Sequence, residues 1–138
     1  MKLDQLRSDL DRCNINPVLV TLPFADRLQI SKRLCGLYSI WENNHCVYVG
    51  KTGNNIATRL LHHHNKAFGI WENGTRDTLG WKLGRNRAGW NPNIWTIEYF
   101  ECASSTHRTY LEGAMILLFN PECNDETVED RISRATNV

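Results

Sequence analysis

The sequence predicts an α+β fold: a small three-stranded antiparallel sheet flanked by helices. Three observations predict it. Residues 36–41 (GLYSIW) and 46–50 (CVYVG) are β-branched and aromatic runs on either side of a polar ENNH turn, which reads as a hairpin. Residues 94–100 (IWTIEYF) alternate like a third strand. The stretches around these runs carry helical spacing and capping residues rather than further hairpins.

The elements follow in order. Leu3, Leu6 and Leu10 predict a short amphipathic helix over 2–12. Pro17 and Pro23 punctuate the next stretch, and residues 25–33 read as a further helical turn or two. After the hairpin, Gly53 and Asn54 make a turn. Asn54 or Asn55 then caps a helix over about 56–66, with Ile56, Leu60 and Leu61 on one face. Residues 67–93 are rich in Gly, Trp and Arg, with a short helix over 76–86 that Gly89 and Pro92 close. Residues 105–119 form a helix with a Ser or Thr cap, Tyr110, Ala114, Leu117 and Leu118 share one of its faces, and Asn120-Pro121 stops it. This divides the chain into an N-terminal extension (1–34), a core domain (35–124) and an acidic tail (125–138) that is expected to fray.

Composition narrows the class. The 138 residues are 41% apolar and 22% charged, an ordinary globular balance for about one domain. No apolar run nears the roughly 18 residues of a membrane span, and the N-terminus lacks an apolar signal core. Five cysteines without a CxxC pair disfavour a disulfide scaffold and a zinc site, so a reducing cytoplasm is the expected location. The net charge of +1 hides a split: residues 31–90 carry nine basic and three acidic side chains, whereas residues 91–138 carry three basic and eight acidic. A basic middle suits a polyanion such as DNA, although a solvated surface reads the same way.

The candidate chemistry lies in a few side chains. Tyr38 and Tyr48 fall on neighbouring strands, each sharing a face with a glycine, Gly36 and Gly50. Arg59 and His63 are spaced i, i+4 on the following helix, and Glu112 is a lone carboxylate in an apolar helix. A phenol, a guanidinium, an imidazole and a carboxylate suit metal-assisted phosphodiester cleavage. The carboxylate holds a divalent ion, the guanidinium clamps the phosphate, and a phenol takes the proton of the attacking water. The plainer reading makes the tyrosines core aromatics, Arg59 a surface residue and Glu112 a carboxylate at a helix edge. His62, His63 and His64 do not form a zinc site, because adjacent helical residues point about 100° apart.

Gly36-Leu37-Tyr38 and Tyr48-Val49-Gly50 resemble the paired signature of the GIY-YIG nuclease superfamily, with the two tyrosines ten residues apart. Arg59 matches the family's helical Arg, after a loop about one residue longer than usual, and His63 follows it by four positions. Glu112, then Pro121 nine residues on and Asn124 three beyond, match the later motif. Leu37 and Val49 each stand where the signature has Ile, apolar swaps of similar volume. The resemblance covers residues 34–124 and is nearest to the compact, stand-alone phage or restriction-type enzymes.

The resemblance implies a three-stranded sheet and a DNA endonuclease with one divalent metal, usually Mg2+ with Mn2+ as a substitute, held by Glu112. It also implies Tyr38 as general base, Tyr48 positioning water or phosphate, Arg59 and His63 on the phosphate, and Asn124 as a structural tie. Lys51, Lys82, Arg85 and Arg87 are the candidates for DNA backbone contacts. Trp71, Trp81 and Trp90 are expected to build a satellite core more than to stack on bases. Cutting two strands with one site per chain calls for a homodimer, for which residues 1–34 offer a contact or a DNA arm. The alternative is a non-catalytic nucleic-acid-binding module on the same fold.

Overall fold

In the computed structural model, which describes residues 3–31, 33–60 and 92–124, the hairpin is the centre of the sheet. β2 (Gly36–Glu42) and β3 (His45–Thr52) pair antiparallel from Gly36↔Thr52 to Glu42↔His45. Asn43 turns the corner at φ 55°, a left-handed value that Asn tolerates better than most residues. Ile40 pairs with Tyr48 and Trp41 with Cys46, so Val47 is the extra residue of a β-bulge. The bulge lets Val47 and Tyr48 join one core cluster while Cys46 joins the cluster on the other face.

β4 (Trp95–Glu101) pairs with the opposite edge of β2, and β1 (Val20–Pro23) pairs with β4. The sheet therefore has four antiparallel strands in the order β1-β4-β2-β3, not the expected three. The added strand comes from the N-terminal extension. Pro17 and Pro23 read as punctuation, but Pro23 is the last residue of β1, and an edge strand accommodates proline. Phe24–Gln29 follow as a 3-10 helix, within the stretch where a helical turn or two was expected.

The helices close both faces. α1 (Leu3–Arg12) buries Leu6 and Leu10. α2 begins at residue 56 and is described to residue 60. Asn55 Oδ1 accepts from Thr58 N at 2.6 Å, which makes Asn55 its cap, and Ile56 and Leu60 are buried. α3 (Ser105–Phe119) starts at Ser104, whose hydroxyl accepts from His107 N at 3.2 Å. It ends at Asn120, at φ 45°, before Pro121.

The face of α3 that packs inward differs from the expected one. Leu111, Met115 and Ile116 are buried, whereas Tyr110, Leu117 and Leu118 are exposed, Leu117 by 57%. After Glu112 the helix is apolar all round, so periodicity alone does not choose a face there.

Two clusters result, one on each side of the sheet. Tyr38, Ile40, Tyr48, Ile97 and Trp95 pack with Phe24, Ile56 and Leu60. Leu37, Val49 and Phe100 pack with Leu6, Leu10, Leu111 and Met115. All five cysteines are free thiols, and only Cys35 is better than buried. Among the described residues no helix is long and apolar enough to cross a membrane.

Candidate functional site

The paired tyrosines meet on one face of the hairpin. Tyr38 lies directly opposite Gly50 and Tyr48 opposite Ile40. The two rings sit 6.1 Å apart, centre to centre, tilted by 34°. A Cβ on Gly50 would collide with Cζ and the hydroxyl oxygen of Tyr38, so the Tyr38 ring lies across the Gly50 backbone. That requires glycine at 50 and nothing larger. Tyr38 is fully enclosed, while Tyr48 keeps 8% of its surface.

Gly36 has a different reason. A Cβ there would meet the Phe100 carbonyl oxygen and the Cys102 amide nitrogen, both backbone atoms of β4 and the residue after it. Glycine at 36 lets β2 and β4 come close, and no side-chain movement can substitute for it.

Lys51 and Glu112 meet on the opposite face. Consecutive strand residues point to opposite sides, so Gly50 belongs to the tyrosine face and Lys51 to the α3 face. Lys51 Nζ donates to Thr109 Oγ1 at 2.9 Å and lies 3.9 Å from Glu112 Oε1. Thr109 and Glu112 are three residues apart on α3, on neighbouring positions of one face. The Lys51 and Glu112 side chains are 37% and 25% exposed. Lys51, a candidate for DNA backbone contact, has its contacts here on α3.

Arg59 is half-buried on α2, in the helix whose Ile56 and Leu60 pack against the tyrosine cluster. His63, Lys82, Arg85 and Arg87 lie outside the described residues, as do His62, His64, Trp71, Trp81 and Trp90. The two pairings, Tyr38–Tyr48 and Lys51–Glu112, therefore flank consecutive residues of β3, one on each side.

The outer edge of β3 is held by the segment after α3. Glu122 N and Cys123 N donate to the carbonyls of Cys46 and Val47 at 3.1 and 2.8 Å. Asn124 is buried. Its Oδ1 accepts from Val49 N at 3.0 Å and its Nδ2 donates to Val49 O at 2.9 Å. A single amide side chain thus completes the backbone pairing of β3 immediately before Gly50. Exposed His45 pairs with Glu122 at 3.2 Å, further down the same edge.

One residue that the sequence reading missed is Arg108. Its Nη1 donates to the carbonyls of Cys102 and Ala103 at 2.9 and 2.8 Å, and Gly53 packs against its Nη2. It joins the end of β4 to the loop that leads into α2. The signal was present, because a cation in the first turn of a helix opposes the helix dipole and needs some other partner. Which partner depends on tertiary contacts.

Among the described residues no three His, Cys, Asp or Glu side chains group as a metal site. Glu112 offers one carboxylate. Mg2+ is commonly held by one or two carboxylates, with water and substrate phosphate completing its octahedron. Glu112 fits that kind of site, not a closed protein cage. Comparison with protein-family models, with curated proteins and with solved structures found no match to this chain.

Proposed function

We propose that the protein is a divalent-metal-dependent DNA endonuclease of the GIY-YIG type. The observation that carries the reading is the interlock of the two motif halves: the Tyr38 ring lies across Gly50, with the Tyr48 ring 6.1 Å away. The motif glycine and tyrosine thereby have a joint physical purpose that an unrelated hairpin does not need.

In this reading Glu112 holds the metal, which supplies Lewis-acid stabilisation of charge on the phosphate when bound. Arg59 holds the phosphate by a charge-assisted pair. The two phenols divide the proton chemistry by their enclosure. Tyr48, 8% exposed against none for Tyr38, is the phenol assigned to the proton of water; it lies on the sheet face opposite Lys51 and Glu112, so the substrate must reach both faces at the Gly50–Lys51 end of β3. This moves the base away from Tyr38, the position that the resemblance favours, because a fully enclosed phenol does not reach bulk water.

A second reading has its own observation. Full burial of Tyr38 and the Lys51–Glu112 pair also suit a fold that grips nucleic acid without cutting it. Incubating supercoiled plasmid with Mg2+ at low salt separates the two. The endonuclease reading expects nicked or linear DNA from the wild type, lost in Tyr48→Phe, Arg59→Ala and Glu112→Ala. DNA binding without any cleavage favours the binding module.

A further inference from the structure

The Lys51 ammonium is held by one hydroxyl beside the one carboxylate that the proposed metal would use. Its donors reach Thr109 Oγ1 at 2.9 Å and approach Glu112 Oε1 at 3.9 Å. Thr109 Oγ1 is fixed in turn, donating to Ser105 O one helical turn back at 3.1 Å. The hydroxyl therefore presents a lone pair to Lys51 and parks the ammonium next to the carboxylate. Arg108 makes the contrast: its guanidinium is held by two backbone carbonyls at the end of β4. Lys51 sits on a flexible four-carbon stem whose donors rotate freely.

An ammonium and a divalent ion compete for one carboxylate. Ion pairs this exposed add little to stability. The larger consequence of the Lys51–Glu112 pair is for what else binds there. Lys51 also follows Gly50 directly, and its side chain lies on the sheet face opposite the tyrosine pair.

Resting on the endonuclease reading, we propose that Lys51 is a placeholder for the metal: in the DNA-free protein its ammonium occupies Glu112 and keeps the divalent ion weakly bound. A nucleic-acid phosphate draws the ammonium off the carboxylate and frees Glu112. Metal and DNA then bind with positive coupling, and the coupling is reciprocal. Thr109 is the positioning residue, since it fixes where the ammonium rests.

The test is Mn2+ titration of the full DNA-free chain, reading free Mn2+ by electron paramagnetic resonance. Lys51→Met is expected to bind Mn2+ about fivefold more tightly than the wild type, and Thr109→Val about twofold, the range that an exposed pair commands. Thr109→Val leaves every charge in place, so its gain separates parking from bulk electrostatics. The gain of Lys51→Met is expected to vanish in Lys51→Met/Glu112→Gln. With a phosphorothioate duplex, Mn2+ is expected to tighten DNA binding by a larger factor in the wild type than in Lys51→Met.

Equal Mn2+ affinity in wild type and Lys51→Met overturns the placeholder, as does a gain that survives in the double variant. If the plasmid is cut in a Glu112-dependent way while those affinities are equal, the placeholder alone falls. If no protein of the set binds Mn2+ even with the phosphorothioate duplex present, the metal-dependent reading falls with it.

Discussion

The two faces of the sheet are built by different means. On the α1 and α3 side, aliphatic side chains of two helices pack on Leu37, Val49 and Phe100. Trp41 and Phe119 also stand edge to face there at 5.2 Å, but on the other side aromatic rings make up more of the core. Phe24 and Trp95 stand edge to face at 5.1 Å, and the Tyr38 ring covers a glycine. A ring packed on backbone tolerates less added volume than aliphatic side chains that repack, and Gly50 has no room for a Cβ while Tyr38 stays in place. That fit makes the tyrosine face the stiffer one toward added volume.

Breaking that rigidity is expected to cost most where backbone meets backbone. Gly36→Ala forces a Cβ into the Phe100 carbonyl and the Cys102 amide. The expected loss is about 3 kcal/mol, at the upper end for overpacking, read from the urea midpoint. Gly50→Ala meets a side chain that can give way, so the expected loss is about 2 kcal/mol. Combining Gly50→Ala with Tyr38→Ala sharpens the point: the two losses are expected to fall short of additive, because without the ring the new methyl has room.

Removing the edge clamp tests the strand that both faces share. Asn124→Ala leaves the Val49 N–H and carbonyl without the bonds at 3.0 and 2.9 Å. A loss of about 2 kcal/mol is expected, with faster hydrogen exchange at the Val49 amide.

Alkaline pH probes the helix face. Burial pushes the Cys46 thiol from 9.0 up to about 12. In the unfolded chain this thiol ionises near 9.0, so between about pH 9 and 12 unfolding releases its proton and stability falls as pH rises. The slope approaches about 1.4 kcal/mol per pH unit. Cys46→Ala is expected to flatten it in pH-dependent urea melts. The smallest effect belongs to the outer side of α3: Leu117→Gln, at an exposed position, is expected to change stability by less than about 0.5 kcal/mol.

The hairpin, the Asn55 cap, the Ser104 cap and the stop at Pro121 were legible because each is local: a turn, a cap or a proline acts within a few residues. β1 was not, since only its pairing with β4 outweighs two prolines. The inward face of α3 was not, since Leu117 and Leu111 are equivalent until a sheet lies beneath one of them. In the site, the faces shared by Gly36 with Tyr38 and by Tyr48 with Gly50 followed from strand alternation, whereas the opposition of Tyr38 and Gly50 did not, because the bulge at Val47 sets the register. The partner of Lys51 and the clamp of Arg108 did not, because both depend on where α3 docks.

The most direct test of the central claim is cleavage of supercoiled plasmid in Mg2+ by wild type and Glu112→Gln, with duplex binding measured on both. Nicked or linear products are expected from the wild type, none from Glu112→Gln, with DNA bound by both proteins. No product from the wild type, or equal product from Glu112→Gln, contradicts that claim.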